Sequence, residues 1–191
     1  MVNRLPAVLI GGPPATGKST LAAALAPHLG AALLDLDVAT GPLTRVVAGL
    51  IGVRDLDDPV LAGLTRDARY DTLLGLADAN LRAGLPVVLV APFSRERAEP
   101  SAWATIARRI GSDPLMVWLH LPPQELIQRL TGRALPRDED KIRDPASFLT
   151  GLDLEPPVVP HLALDAAQPT PTLVKSVLGH LSGSGPGDLA R

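Results

Sequence analysis

Ten residues, GGPPATGKST from Gly11 to Thr20, have the types and spacing of a loop that holds a phosphate chain. Glycines let backbone N–H groups turn inward around an anion, and a following helix points its positive dipole end at the same place. Gly12, then Pro13, Pro14, Ala15 and Thr16, then Gly17, Lys18 and Ser19 satisfy the Walker A pattern completely. Lys18 can reach the β- and γ-phosphates as a compact charge, and Ser19 can offer its hydroxyl to Mg²⁺. The same loop, Thr20 included, is therefore the expected nucleotide site, with ATP and Mg²⁺ as the cofactors. The alternative is a glycine-rich turn before a helix. The completeness of the motif and its place after an apolar run argue against that.

Three further stretches bear on what becomes of the phosphate. Asp35 and Asp37 stand two apart in LLDLD, at the end of an apolar run expected to be a strand. On a strand they would share one side. One could then sit near the metal's water shell, where Asp35 is assigned with Ser19. The other, Asp37, could serve an acceptor hydroxyl as general base. Either could instead cap the next helix. The second stretch, VVLV followed by Ala91 and Pro92, ends without the acid that many proteins with such a loop use to hold Mg²⁺ through water. A dedicated hydrolase needs that acid and a water-positioning group, so Val90 and Ala91 move the metal burden onto Ser19 and the Asp pair. The third is an arginine run, Arg129, Arg133 and Arg137, interrupted by Pro136 and followed by Lys141 and Arg143. Arginines four apart share a helix face. Closing over a triphosphate, they would neutralise the charge that develops in transfer, and the competing reading is a solvated charged face.

An acceptor would lie between Asp37, the helices from 42 to 82 and the segment after Phe93. Arg45, Arg66, Arg69, Tyr70 and Arg95 are the candidate contacts, of which Arg45, Arg69 and Arg95 are assigned to substrate. If several converge, the acceptor is anionic, because arginine grips carboxylates and phosphates as a fork. The four histidines have no metal-ligand spacing. Ser94, in Pro-Phe-Ser-Arg, lacks the glycine-flanked turn of a hydrolase nucleophile.

The elements that must position these residues alternate. Apolar runs at 5–10, 31–36, 86–91, 114–121 and 161–164 read as strands. Stretches at 18–29, 42–50, 66–82, 99–110, 124–130 and 171–181 read as helices. Alternating strands and helices mean α/β architecture: a five-stranded parallel sheet covered on both faces. One domain over residues 1–181 is expected, with an arginine-rich lid at about 131–145 and a flexible tail at 182–191. Trp103 and Trp118 are expected in the core.

Bulk composition excludes other classes. The 191 residues are 46% hydrophobic with a net charge of −2, which argues against disorder and against a nucleic-acid or acidic-membrane partner. The chain has no cysteine, so no disulfide or thiolate chemistry is available, which suits a cytoplasmic setting. The apolar run at the start breaks at Gly11 and is too short for a secretory signal. The run from Leu85 to Phe93 is too short to span a bilayer.

Together GGPPATGKST, LLDLD, GLPVVLVAPF and GRALPRD resemble the P-loop small-molecule kinases. Shikimate and gluconate kinases, chloramphenicol phosphotransferase and the zeta-toxin-like kinases are of this kind. So is a broad bacterial group labelled AAA-type ATPases but kinase-like in layout. The resemblance runs from about Leu5 to Leu181 and implies a P-loop NTPase fold. It implies Lys18 and Ser19 on the phosphates and magnesium, Asp37 on the acceptor hydroxyl, Arg133 and Arg137 as lid arginines, and the loop after Asp165 near adenine. Related kinases often have Asp-Ala-Thr-Phe where this chain has Val90-Ala91-Pro92-Phe93. The implied activity is ATP-dependent transfer of a phosphate to a hydroxyl of a metabolite or antibiotic-like small molecule. A nucleoside or nucleotide kinase and a non-catalytic nucleotide-binding switch are the alternatives. The acceptor and the oligomeric state are not legible.

Overall fold

The computed structural model describes residues 5–56, 58–111, 113–133, 145–152 and 154–183. The five apolar runs form strands: β1 (Ala7–Gly11), β2 (Ala32–Asp35), β3 (Val87–Val90), β4 (Leu115–His120) and β5 (His161–Asp165). The helices are α1 (Lys18–Leu29), α2 (Leu36–Leu50), α3 (Pro59–Arg82), α4 (Ser94–Ala98), α5 (Pro100–Ile110), α6 (Pro123–Arg133), α7 (Pro145–Gly151) and α8 (Thr170–Gly183). The strands make one sheet in the order β2-β3-β1-β4-β5, every neighbouring pair parallel.

Residue alternation sorts the sheet's side chains between two covering layers. Val8, Ile10, Val88, Val90, Val117 and Leu119 pack with Leu21 and Leu25 of α1 and with Leu173 and Val177 of α8. Ala7, Leu9, Val87, Leu89 and Met116 face the other way, toward Leu73 and Leu74 of α3 and Ile106 and Ile110 of α5. This double covering is why β1 and β3 are apolar at every position. Trp118 is buried in β4, and Trp103 packs half-buried against the second layer.

Two helices begin earlier than their sequence suggests, each because an aspartate caps it. Asp35 accepts the N–H groups of Asp37 and Val38 at 2.9 and 3.3 Å, so α2 starts at Leu36 and not at Pro42. Pro42 then lies inside the helix, between Thr40 and Thr44, whose hydroxyls donate to the carbonyls of Leu36 and Thr40. Asp58 accepts from Val60 and Leu61 at 2.8 and 3.1 Å, and Pro59 occupies the first turn, where its missing N–H costs nothing. The short helices α4 and α7 were not anticipated, and α8 takes in Ser182 and Gly183, while 184–191 lie outside the described residues. Among the described residues no helix is long and apolar enough to cross a membrane.

Parallel register brings three strand ends together. Ile10 pairs with Val90, and Val90 with Asp35. The loop after β1, the start of α2 and the turn after β3 therefore open onto the same crevice, the usual ligand position in an open parallel sheet.

Candidate functional site

The turn from β1 into α1 adopts backbone conformations that few residues tolerate. Gly12, Ala15 and Gly17 have φ of 145°, 66° and 86°. Thr16 donates its hydroxyl to the Pro13 carbonyl at 2.9 Å, and the Lys18 ammonium donates to the carbonyls of Gly12 and Pro13, both at 2.8 Å. These bonds curl the loop back on itself and hold the lysine over it. No side chain caps the N-terminus of α1, so its first N–H groups are left for an anion. A Cβ at Gly17 would meet nothing within 4 Å. The donor set and the open space there both fit a phosphate chain.

Asp35 has two jobs. One carboxylate oxygen caps α2; the other accepts the Ser19 hydroxyl at 2.9 Å. The expectation that Asp35 and Asp37 share one side of a strand is corrected: β2 ends at Asp35, and Asp37 stands in the first turn of α2. Both still reach the crevice. Arg69, on α3, donates to Asp37 at 2.6 Å through Nη2 and to the Thr40 hydroxyl at 3.0 Å through Nε, which orients the carboxylate from below. Among the described residues no group of three or more histidines, aspartates and glutamates could cage a metal. A Mg²⁺ at Ser19 and Asp35 would suit the ion's habit of keeping several waters and taking phosphate oxygens.

Opposite the loop, α3 forms a wall. Ala62, Arg66, Arg69 and Tyr70 share the helix face toward a cleft of about 480 Å³, which is lined also by Pro14, Ala15, Gly17 to Thr20, Asp35 to Asp37, Val90 to Pro92 and Ser94. Arg66 makes a two-pronged bond to buried Glu96 at 2.8 and 2.9 Å and lies over the Tyr70 ring, 4.4 Å from its centroid. Burial works against the Arg66 charge, but the hydrogen bond and charge of Glu96 outweigh it and hold the guanidinium above its ordinary pKa. Burial, helped by Glu96, pushes the Tyr70 phenol well above its usual value, so it stays neutral.

Tyr70 also sets the turn after β3. Its hydroxyl accepts the N–H of Phe93 at 2.9 Å, and Phe93 is a fully buried residue in the left-handed region, with φ of 49°. That bond places Pro92 and Ser94 at the cleft. Tyr70→Phe would leave the N–H buried without an acceptor, and unfolding in urea should show a loss of about 1–3 kcal/mol. An unchanged midpoint would mean that another group accepts from the Phe93 N–H.

Of the residues singled out from sequence, the cleft gathers Pro14, Ala15, Gly17, Lys18, Ser19, Thr20, Asp35, Asp37, Arg66, Arg69 and Tyr70. Gly12, Pro13 and Thr16 support the loop from behind. Arg45 is exposed on α2 and does not line the cleft. Arg95 stands half-exposed on α4, 3.5 Å from Asp67 and 3.7 Å from Glu96, also outside the lining. Arg129 donates to the Ala166 carbonyl at 2.7 Å, tying α6 to the loop after β5. Arg133 ends α6; its side chain, and Arg137 with most of the expected lid, lie outside the described residues. Ala62 and Glu96 were missed, and Ser94 was weighed only as a nucleophile. The Asp58-Pro59 helix start would have revealed Ala62, four residues before Arg66.

The family model described as an AAA domain matches residues 8–153. Among solved structures, a gluconokinase from Sinorhizobium meliloti is similar at 20% identity with a TM-score of 0.60, covering 94% of this chain and 93% of that one. An APS kinase from Mycobacterium tuberculosis, solved in complex with AMPPNP and APS, is 18% identical with a TM-score of 0.63, covering 94% and 99%. A shikimate kinase from Aquifex aeolicus is 17% identical with a TM-score of 0.53, covering 93% and 96%. At these identities the likeness is one of fold. No curated protein matches the sequence.

Proposed function

This chain belongs to the AAA domain family, and on that premise we propose that it transfers the γ-phosphate of ATP to a hydroxyl of a small molecule. One observation carries the reading. The Asp37 carboxylate, held by Arg69 at 2.6 Å, faces the same cleft as Lys18 and the Ser19–Asp35 pair. A nucleotide switch needs the phosphate loop but has no use for a second, oriented carboxylate beside it. The names of the structurally similar proteins, kinases of gluconate, APS and shikimate, support the same class.

In this reading Lys18 and the N–H groups at the start of α1 hold the β- and γ-phosphates. Ser19 and Asp35 would hold Mg²⁺, Asp35 lying one strand across from the position where Val90 stands in place of an acid. When bound, Mg²⁺ would offset charge on the phosphate oxygens. Asp37 accepts the proton of the acceptor hydroxyl and aligns its oxygen with phosphorus. Arg69 keeps that carboxylate aimed. Arg129 and the loop after Asp165 border the adenine, while Arg133 and Arg137 close as lid arginines.

The test is a screen of a metabolite mixture, nucleosides and nucleoside monophosphates included, for the mass gain of one phosphoryl group in the presence of ATP and Mg²⁺. Lys18→Ala should abolish any gain. Val90 favours a second reading, a nucleotide-binding switch with negligible transfer. It would prevail if no compound gained phosphate and ATP changed binding to a protein partner instead.

A further inference from the structure

We propose that the acceptor is an uncharged hydroxyl compound, sugar- or polyol-like, and not a carboxylate or phosphate ester; this rests on the phosphotransferase reading. Among the described residues, the arginines around the acceptor side, Arg66, Arg69 and Arg95, do converge, but each already faces an acid of the protein. Arg66 spends Nη2 on both oxygens of Glu96, whose exposure is only 4%. Its Nη1 is sealed from solvent without a hydrogen bond, 3.6 Å from Asp67, and the Tyr70 ring covers one guanidinium face. Arg69 spends Nη2 on Asp37 and Nε on Thr40. Arg95 stands outside the cleft lining between Asp67 and Glu96. Three cations thus meet three carboxylates, Glu96, Asp37 and Asp67.

An anionic group on the acceptor would enter this balanced field beside Asp37 and the triphosphate. Gripping it with Arg66 would strip a buried carboxylate of its two-pronged partner, which is among the costlier exchanges a protein can make. Gripping it with Arg69 would release the proposed base. An uncharged hydroxyl compound asks for neither exchange. It finds a carboxylate acceptor at Asp37, a hydroxyl at Ser94, and the apolar faces of Ala62 and Pro92 against its C–H surface.

The experiment compares acceptors that differ in charge: glucitol with gluconate, glucose with glucose 6-phosphate, glycerol with glycerate. With ATP and Mg²⁺, the uncharged member of any pair turned over should have the higher kcat/KM by at least about tenfold. Equal or reversed preference overturns the inference and leaves the phosphotransferase reading intact. A binding measurement decides the matter without turnover. Gluconate and glycerol 3-phosphate are titrated into the full chain saturated with AMPPNP and Mg²⁺, and the melting temperature is followed. No rise is expected in the wild type, whereas Glu96→Gln, which frees one edge of Arg66, should gain an anion-dependent rise. A wild-type rise that Arg66→Gln removes would overturn the proposal even if no acceptor were ever phosphorylated.

Discussion

Replacing Asp37 by Asn is expected to lower phosphate transfer by about 10²–10⁴-fold, the usual contribution of a positioned general base, with ATP affinity nearly unchanged. Asparagine has the shape of aspartate and can still accept from Arg69 Nη2 through its amide oxygen, so the geometry at 2.6 Å is retained. It cannot take a proton, and it leaves the Arg69 charge without its counterion. The phosphate loop lies on another element, between β1 and α1. Its bonds run from Lys18 and Thr16 to the loop's own carbonyls. The loss should therefore fall on kcat, measured as acceptor-dependent ADP release, and not on nucleotide binding measured by fluorescence. Full turnover by the variant would remove Asp37 from the chemistry, and an equal loss of both quantities would make it a structural residue.

Gly12→Ala should be the most damaging change in the loop, with an expected loss of about 2–4 kcal/mol in stability and a nucleotide affinity too weak to measure at ordinary concentrations. A Cβ at this position would stand 2.5 Å from the carbonyl oxygen of Leu119 and 3.2 Å from its Cβ. Leu119 is paired with Leu164 of β5, so its backbone is held by the sheet. The φ of 145° adds strain for any side chain. Gly17→Ala provides the contrast. Its Cβ meets nothing within 4 Å, so only the left-handed conformation is penalised, at about 1–2 kcal/mol. Urea unfolding of both variants separates collision from conformational strain, and a greater loss at Gly17 would contradict the packing described for Gly12.

Much of the fold around the phosphate loop was legible because its signals are local. The Walker A spacing names its loop without help from distant residues, and the apolar runs name the five strands. The errors are also local and have one cause. An aspartate was read for its charge when its place before a helix was the stronger signal. Asp35 and Asp58 both start helices; setting aside the cap reading at Asp35 put Asp37 on a strand, and overlooking Asp58 cut the first turns from α3. Moving those boundaries changes which face of α3 meets the cleft, hence whether Ala62 belongs with Arg66 and Arg69.

The acceptor side was not legible. From the sequence, Arg45, Arg69 and Arg95 were assigned to substrate with Arg66 as a further candidate, and their convergence would have meant an anionic ligand. In the fold, Arg45 points elsewhere, and Arg66 and Arg69 meet carboxylates 30 and 32 residues away. By itself, the sequence determined the parallel α/β sheet and pointed to Gly12 to Ser19 as the loop proposed to hold a nucleotide's phosphates, because motif and periodicity depend on neighbours along the chain. The strand order, the placing of Asp37 against Arg69, and the pairing of Arg66 with Glu96 were decided only by tertiary structure. Pairing between elements tens of residues apart, where the charge on one side chain is cancelled by another, leaves no pattern in the spacing of either.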